Sequence, residues 1–358
     1  MKQMMLIITL LLSLYTQATV HLYHNNNAYA SHVEQELKKH HIPFQYADTI
    51  DPQSSELYII IDILAVKEEL PKYYIGYQLQ DITHKLTTRD IKRLSNAIAV
   101  WDYSSININY YKSKIHHYYY FPQSYEFADP ILLPCLLPTQ ALSTYKAVLS
   151  YSNTVDTDIS SHLPALFCQV LIQDPTIIVE AGVRGGESTK AFAAIRELCP
   201  TILLGIDINN DSQSAYQLIK GAQFLCMNDL DFGSFYKTSQ YHHYPIDAIF
   251  IDTSHLYEHT MQEIKEFLPL LSSHGMLLFH DSNVTPLSKN IGYWRINNTY
   301  GFANGNTRGV TQAIKEYFAI AFDEYHYNNF TFDNDGIVWR IIHYPFCNGL
   351  TILKKESV

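Results

Sequence analysis

The chain has 358 residues, 47% of them hydrophobic and 17% charged, with a formal net charge of -10. That length predicts two domains, and the apolar content excludes a disordered chain. The acidic balance, with no strong basic run, excludes a nucleic-acid partner, because binding a phosphate backbone depends on clustered lysine and arginine.

The five cysteines (Cys135, Cys168, Cys199, Cys226, Cys347) are scattered, odd in number and mostly in apolar surroundings. They suit reduced core thiols better than a disulfide framework. The doubled histidines (His40 and His41, His116 and His117, His242 and His243) lack metal-site spacing and read as solvated surface.

Residues 1–18 read as a targeting segment. Lys2 precedes an apolar run over 4–14, and the small residues Thr16 and Ala18 stand at the two positions a signal peptidase inspects. The run is short for a membrane span, so a cleaved signal or short anchor is expected, against a buried first strand.

In the first half, 19–23 predicts a strand and 31–40 an amphipathic helix with Ser31 as N-cap and Glu34 three residues on. Strands over 42–46 and 56–63 follow, and the alternation predicts a small parallel sheet in an α/β domain. Next come 74–80 (YIGYQLQ), 97–105 (AIAVWDYSS) and 118–122 (YYYFP). This stretch resembles the amino-terminal half of certain bacterial glycosyltransferase-like proteins, in which a strand ends in W-D-Y-S and a helix follows. Asp102 and Ser104 would cap that helix. The resemblance implies an accessory or acceptor-recognition domain over 19–150, with a structural spacer as the alternative. Residues 122–138 contain Pro130, Pro134 and Pro138 and read as an extended connector without regular helix. The domain boundary is expected between 150 and 157, with the second domain over 155–358.

The second half is organised around 176–189, TIIVEAGVRGGEST. A β-branched run ends on Glu180 and passes through Gly182, Gly185 and Gly186 into a helix opening at Glu187, Ser188 and Thr189. Strand, glycine turn and helix N-terminus point to a nucleotide-type ligand. The dinucleotide fingerprint wants glycines at i, i+2 and i+5, and these fall at i, i+3 and i+4, which disfavours NAD. The next strand, 202–208, brings Asp207, 21 residues beyond Gly186, to the place where a carboxylate accepts both ribose hydroxyls. Strands over 221–227, 246–254 and 276–279 carry Asp229, Asp252, His280 and Asp281 at or after their ends. Open parallel sheets bind ligands at strand carboxyl ends, so Glu180, Asp207, Asp252, His280 and Asp281 are expected on one rim.

The run around Glu180 resembles the E-x-G-x-x-G-G-x-S-T version of motif I in class I S-adenosylmethionine-dependent methyltransferases, in the cephalosporin-hydroxylase-like and macrocin O-methyltransferase-like branch. FIDTSHLYEH, LPLLSSHGMLLFHD and RGVTQAIKEYF resemble further blocks of that family. So does 343–353, which looks like its closing hairpin with Asn348 and Gly349 as a two-residue turn.

The resemblance implies a Rossmann-like, mostly parallel seven-stranded sheet and S-adenosyl-L-methionine as donor, held by Glu180, Gly182, Gly185, Gly186, Ser188, Thr189, Asp207 and Asp229. It implies an O-methyltransferase acting on a hydroxyl of a glycan, a glycosylated metabolite or a similar small molecule. A non-catalytic exported carbohydrate- or nucleoside-binding protein retaining the fold is the alternative. In metal-dependent relatives, the acid ending strand four and an acidic pair ending strand five bind Mg²⁺. The corresponding residues here are Asp252, His280 and Asp281, where the imidazole moves the preference toward a transition metal. His280, with an ordinary pKa near neutrality, is the leading candidate for general base, Asp252 or Asp281 orienting it and His255 the second candidate. An aromatic lid over 282–306 is expected. The donor is made in the cytoplasm, which conflicts with export, and oligomerisation is left open.

Overall fold

The computed structural model describes residues 19–24, 27–79, 86–102, 107, 115, 118–120, 129–155, 157–283, 309–324, 326–345 and 348–356. The targeting segment over 1–18, the Ser104 cap and most of the aromatic loop over 282–306 lie outside these residues. Among the described residues no helix is long and apolar enough to cross a membrane. The chain divides into two compact units, Met1–Ser150 and Tyr151–Val358.

The first unit is a six-stranded, wholly parallel sheet. Its elements are β1 (Val20–Tyr23), α1 (Asn27–Lys39), β2 (Phe44–Ala47), β3 (Leu57–Ile61), β4 (Tyr73–Gln78), α2 (Thr88–Asn96), β5 (Ala99–Asp102) and β6 (Tyr118–Tyr120), with strand order β2-β1-β3-β4-β5-β6. β3 and β4 are buried throughout, as central parallel strands covered on both faces must be. Helix α1 begins at Asn27, so Ser31 lies inside it and is not its N-cap. Thr87 caps α2 in a capping box with Asp90. Asp102 is buried, and the Asn107 amide donates to its carboxylate at 3.1 and 3.3 Å.

The proline-rich connector contains a helix, α3 (Asp129–Leu136), which corrects the extended reading. Pro130 falls in its first turn, where backbone N–H groups have no intrahelical partner, so Pro134 alone removes a bond. Helix α4 (Leu142–Ser152) runs through the division between the units.

The second unit is an α/β fold on an eight-stranded sheet, ordered β12-β13-β14-β11-β10-β7-β8-β9. Helix α5 (Leu163–Leu171), with Pro164 in its first turn, precedes β7 (Ile177–Ala181). Then come α6 (Glu187–Leu198), β8 (Ile202–Asp207), β9 (Gln223–Cys226), α7 (Phe232–Thr238), β10 (Ile246–Ile251), α8 (Tyr257–Phe267) and β11 (Leu271–His280). Strands β7 to β11 are mutually parallel, and β10 and β8 flank β7 on opposite sides. After α9 (Gly309–Tyr317), an antiparallel meander of β12 (Asn328–Asn334), β13 (Ile337–Tyr344) and β14 (Leu350–Lys355) docks on β11.

The sheet therefore has one strand more than the seven expected, because the polar sequence of β12 lacks a strand-like apolar run. The two-residue turn is Asp335-Gly336, both at positive φ, joining β12 to β13. Asn348 and Gly349 also have positive φ, but they belong to a longer connection between β13 and β14. Ile177, Val179, Leu204, Ile206, Phe267 and Trp339 anchor the apolar core on one sheet face.

Candidate active site

The chain reverses its direction of sheet growth at β7, and there the loops after β7 and β10 part to form a crevice. Ala181 pairs with Ile251 on one side and Ile206 on the other, so Gly182, Asp252 and Asp207 emerge on a common rim. Gly182 has φ +87, and a Cβ there would lie 2.0 Å from the Asp252 carbonyl oxygen. Only glycine lets the turn pass this close to the neighbouring strand. Gly186, also at positive φ, is the N-cap of α6.

A cavity of about 400 Å³ opens on this rim, lined among others by Gly182, Arg184, Asp207, Asp229, Asp252 and His259. Its size is that of a small-molecule or cofactor site. Asp207 accepts from the Arg184 and Asn209 backbone N–H groups, both at 2.8 Å, and from Ser212 Oγ at 3.0 Å. These bonds aim the carboxylate while leaving acceptor capacity on a group with about four lone-pair sites.

Glu180 takes a different part from the one expected. Its carboxylate is fully buried and accepts from the hydroxyls of Ser188 (2.5 Å), Thr189 (2.8 Å) and Tyr216 (2.5 Å). Burial pushes its pKa up to about 7 against the pull of those hydroxyls. Gly205 in β8 makes room for the Tyr216 ring, since a Cβ there would lie 2.3 Å from it. Glu180, Ser188 and Thr189 thus fasten the turn and the first turn of α6 from beneath, and none of them lines the cavity. Of the residues expected to hold a donor, Gly182, Asp207 and Asp229 line it, while Gly185 and Gly186 shape the turn.

The second group gathers where β10 and β11 end. Phe279 pairs with Ile251, which sets His280 beside Asp252. His280 Nδ1 lies 3.3 Å from Asp252 Oδ1 and 3.4 Å from Asp281 Oδ1, and its Nε2 lies 3.2 Å from the Asp158 carbonyl oxygen. His255 Nε2 is 2.9 Å from Asp252 Oδ1, and His255 Nδ1 is 3.5 Å from Asp281 Oδ2. Both His255 and Asp281 have positive φ.

Burial works against an imidazolium at His280, but the Asp281 and Asp252 carboxylates prevail and push it up to about 10. Asp252, although its burial opposes the charge, is held well below the carboxylate range by His280 and His255. The geometry therefore disfavours His280 as general base. It is 1% exposed, both its ring nitrogens are engaged, and it does not line the cavity. Of the four polar residues gathered here, Asp252 alone does.

The metal set expected from the sequence also changes. Asp252, His255 and Asp281 present ligand atoms within 4.8 Å of one another, so His255 joins the carboxylates where His280 was expected. Asp281 Oδ1 is buried and accepts no hydrogen bond from the described residues. Two carboxylates and one imidazole fit a divalent ion, a transition metal better than magnesium.

A further cluster was not anticipated: Asp229, His259 and Glu263. His259 Nε2 is 2.9 Å from Asp229 Oδ2 and 3.6 Å from Glu263 Oε1. Burial, reinforced by Asp229, pushes the fully buried Glu263 up to about 8. The sequence carried a signal for it, since Glu263 falls on the buried stripe of α8 with Thr260, Ile264 and Phe267.

Several solved structures are similar to part of this chain. They include SAH-bound Podospora anserina methyltransferase PaMTH1 (14% identity, 60% of this chain and 88% of that one, TM-score 0.39). Others are the Bacillus cereus O-methyltransferase in complex with SAH (15%, 60% and 91%, 0.36) and the Streptomyces achromogenes O-methyltransferase TomG, involved in tomaymycin synthesis, in complex with SAM (13%, 60% and 90%, 0.37). Likeness at this level carries no inference about substrate. No curated protein matches the chain significantly. Residues 179–282, which span the glycine turn, the cavity and the ends of β10 and β11, match the family described as a methyltransferase domain.

Proposed function

We propose that the second unit transfers the methyl group of S-adenosylmethionine to a hydroxyl oxygen of a glycan, a glycosylated metabolite or a similar small molecule. The observation that carries this reading is the cavity bounded by Gly182, Asp207, Asp229 and Asp252 inside the matched domain. The ribose would lie on Asp207, the adenine beside Asp229, and the sulfonium near the Gly182 turn and Asp252. The choice of a glycan as acceptor is supported only by the resemblance of 74–122 to glycosyltransferase-like proteins.

Methyl transfer from a sulfonium is an in-line displacement, so the chain's main contribution is to hold the acceptor oxygen on the axis. Asp252 faces the cavity as a carboxylate, with His255 and His280 fixing its orientation behind it. A carboxylate held this low is a weak proton acceptor, and positioning outweighs its base strength. Asp252, His255 and Asp281 are the residues that would hold a divalent ion, and such an ion lowers the pKa of an acceptor hydroxyl.

Calorimetry of the full chain with S-adenosylhomocysteine and with NAD tests the donor. Binding of the first alone is expected, and binding of NAD alone would overturn the reading. The mutual pairing of Asp252, His255, His280 and Asp281 also suits a non-catalytic binder retaining the fold. That reading gains if S-adenosylhomocysteine binds and no acceptor hydroxyl is methylated.

A further inference from the structure

The first unit holds a groove of about 690 Å³ whose charge is opposite to that of the chain. Lys67, Lys72, Arg89, Lys92, Arg93 and Lys146 line it, against Glu68 and Glu69. The chain as a whole carries 35 acidic and 25 basic residues. No linear basic run announces this surface, because three separate segments build it. Arg89, Lys92, Arg93 and Asn96 share one face of α2, falling within about 100° of one another on a helical projection. The loop before β4 supplies Lys67 and Lys72, and α4 supplies Lys146.

Two of the six cations have structural duties. Arg93 donates to the carbonyl oxygens of Val66 and Glu68, and Lys146 donates to the Asn96 carbonyl at 3.0 Å. These bonds fix the groove's shape. Lys67, Lys72, Arg89 and Lys92 are exposed, and among the described residues none of the six forms an ion pair with a carboxylate. Glu68 is turned toward its own loop, accepting from the Lys67 backbone N–H at 3.0 Å. Burial draws the Lys146 ammonium below the ordinary lysine value, and the nearby Lys72 charge adds to that. Like charges held together with no carboxylate in ion-pair contact repel one another, and an anion seated among them relieves that repulsion.

We propose that this groove binds a small organic phosphate carrying two or more negative charges, such as a diphosphate ester. Several converging cations match a multiply charged group better than a single carboxylate. A polynucleotide suits the surface less well. The groove is bounded, two glutamates lie on its wall, and the chain's net charge of -10 repels an extended polyanion. The site lies wholly in the first unit and is independent of the methyl-transfer reading.

Titration calorimetry of the full chain with inorganic pyrophosphate in EDTA tests the proposal. The groove variant carries Lys72→Gln, Arg89→Gln and Lys92→Gln, all at exposed positions without carboxylate partners. A control variant carries Lys190→Gln, Lys237→Gln and Lys265→Gln, which remove the same charge elsewhere. One pyrophosphate per chain is expected, with affinity falling about tenfold or more in the groove variant and staying within about twofold in the control. Circular dichroism checks that both variants are folded. No binding at about 1 mM pyrophosphate overturns the proposal, as does equal weakening in the two variants. Sulfate binding as tightly at matched ionic strength, or a single-stranded oligonucleotide binding more tightly than pyrophosphate, overturns it as well.

Discussion

Replacing Glu180 with glutamine should reverse the sign of its effect on stability between acid and alkaline pH. The carboxyl is fully buried, and its pKa rises from an ordinary 4.5 to about 7. Below its unfolded value the group is protonated in both states and costs nothing. As pH rises from there toward 7, the unfolded chain releases the proton while the folded one keeps it, so stability falls. Well above pH 7 the full penalty is present, about 3.5 kcal/mol at about 1.4 kcal/mol for each pH unit separating the two values.

Glutamine is neutral throughout. Its oxygen can keep accepting from the hydroxyls of Ser188, Thr189 and Tyr216, and its amide can donate to one of their oxygens. Imperfect rearrangement of those bonds costs about 1 kcal/mol at every pH. The variant should thus be about 1 kcal/mol less stable than the parent near pH 3, about as stable near pH 5, and about 2.5 kcal/mol more stable near pH 9. Urea unfolding of both proteins across that range checks it, since subtracting parent from variant at each pH cancels every other titrating group. A difference that does not change with pH would refute the burial argument.

Three other outcomes follow from the site geometry. Gly182→Ala forces a Cβ to 2.0 Å from the Asp252 carbonyl oxygen at φ +87, and should cost about 3 kcal/mol or more, whereas a Cβ on Gly185 meets nothing within 4 Å. Gly185→Ala should therefore leave the urea midpoint nearly unchanged, and equal losses in the two variants would contradict the close approach. Asp207→Asn keeps an oxygen for the Arg184 and Ser212 donors but loses the charge, and S-adenosylhomocysteine affinity by calorimetry should fall about tenfold or more. Affinity retained within about twofold would remove the ribose from Asp207. His280→Gln leaves Asp252 and Asp281 facing each other with one cation fewer, and should destabilise the chain by about 3 kcal/mol in thermal unfolding. Unchanged stability would show that His255 alone holds the pair.

Strands β7, β8 and β10, and the 276–279 part of β11, were legible because each is a largely apolar run, which is what burial on both sheet faces demands. β12 was not, since NNFTFDN lies half-exposed at the sheet edge and takes its order from pairing with β13. The rim was legible for a related reason: a strand's last residue must project past the sheet, so Asp207, Asp252 and His280 could be placed by counting. What counting leaves open is which way each side chain turns. Glu180 stands two residues before Gly182 and points beneath the turn, toward Tyr216, a partner 36 positions away that Gly205 admits by lacking a side chain.

The different placement of His255 and His280 has the same origin. His280 continues the strand and is drawn between Asp252, Asp281 and the Asp158 carbonyl, whereas His255, at φ 57, folds back so that its ring meets both carboxylates from the other side. A residue's dihedral sign depends on the loop around it, and no local pattern in TSHLYEH announces it. The carboxylate that faces the cavity is therefore held by two imidazoles, and its reactivity depends on both. Removing either one should raise the Asp252 pKa, and only the variant that also disturbs the turn at His255 should change donor affinity.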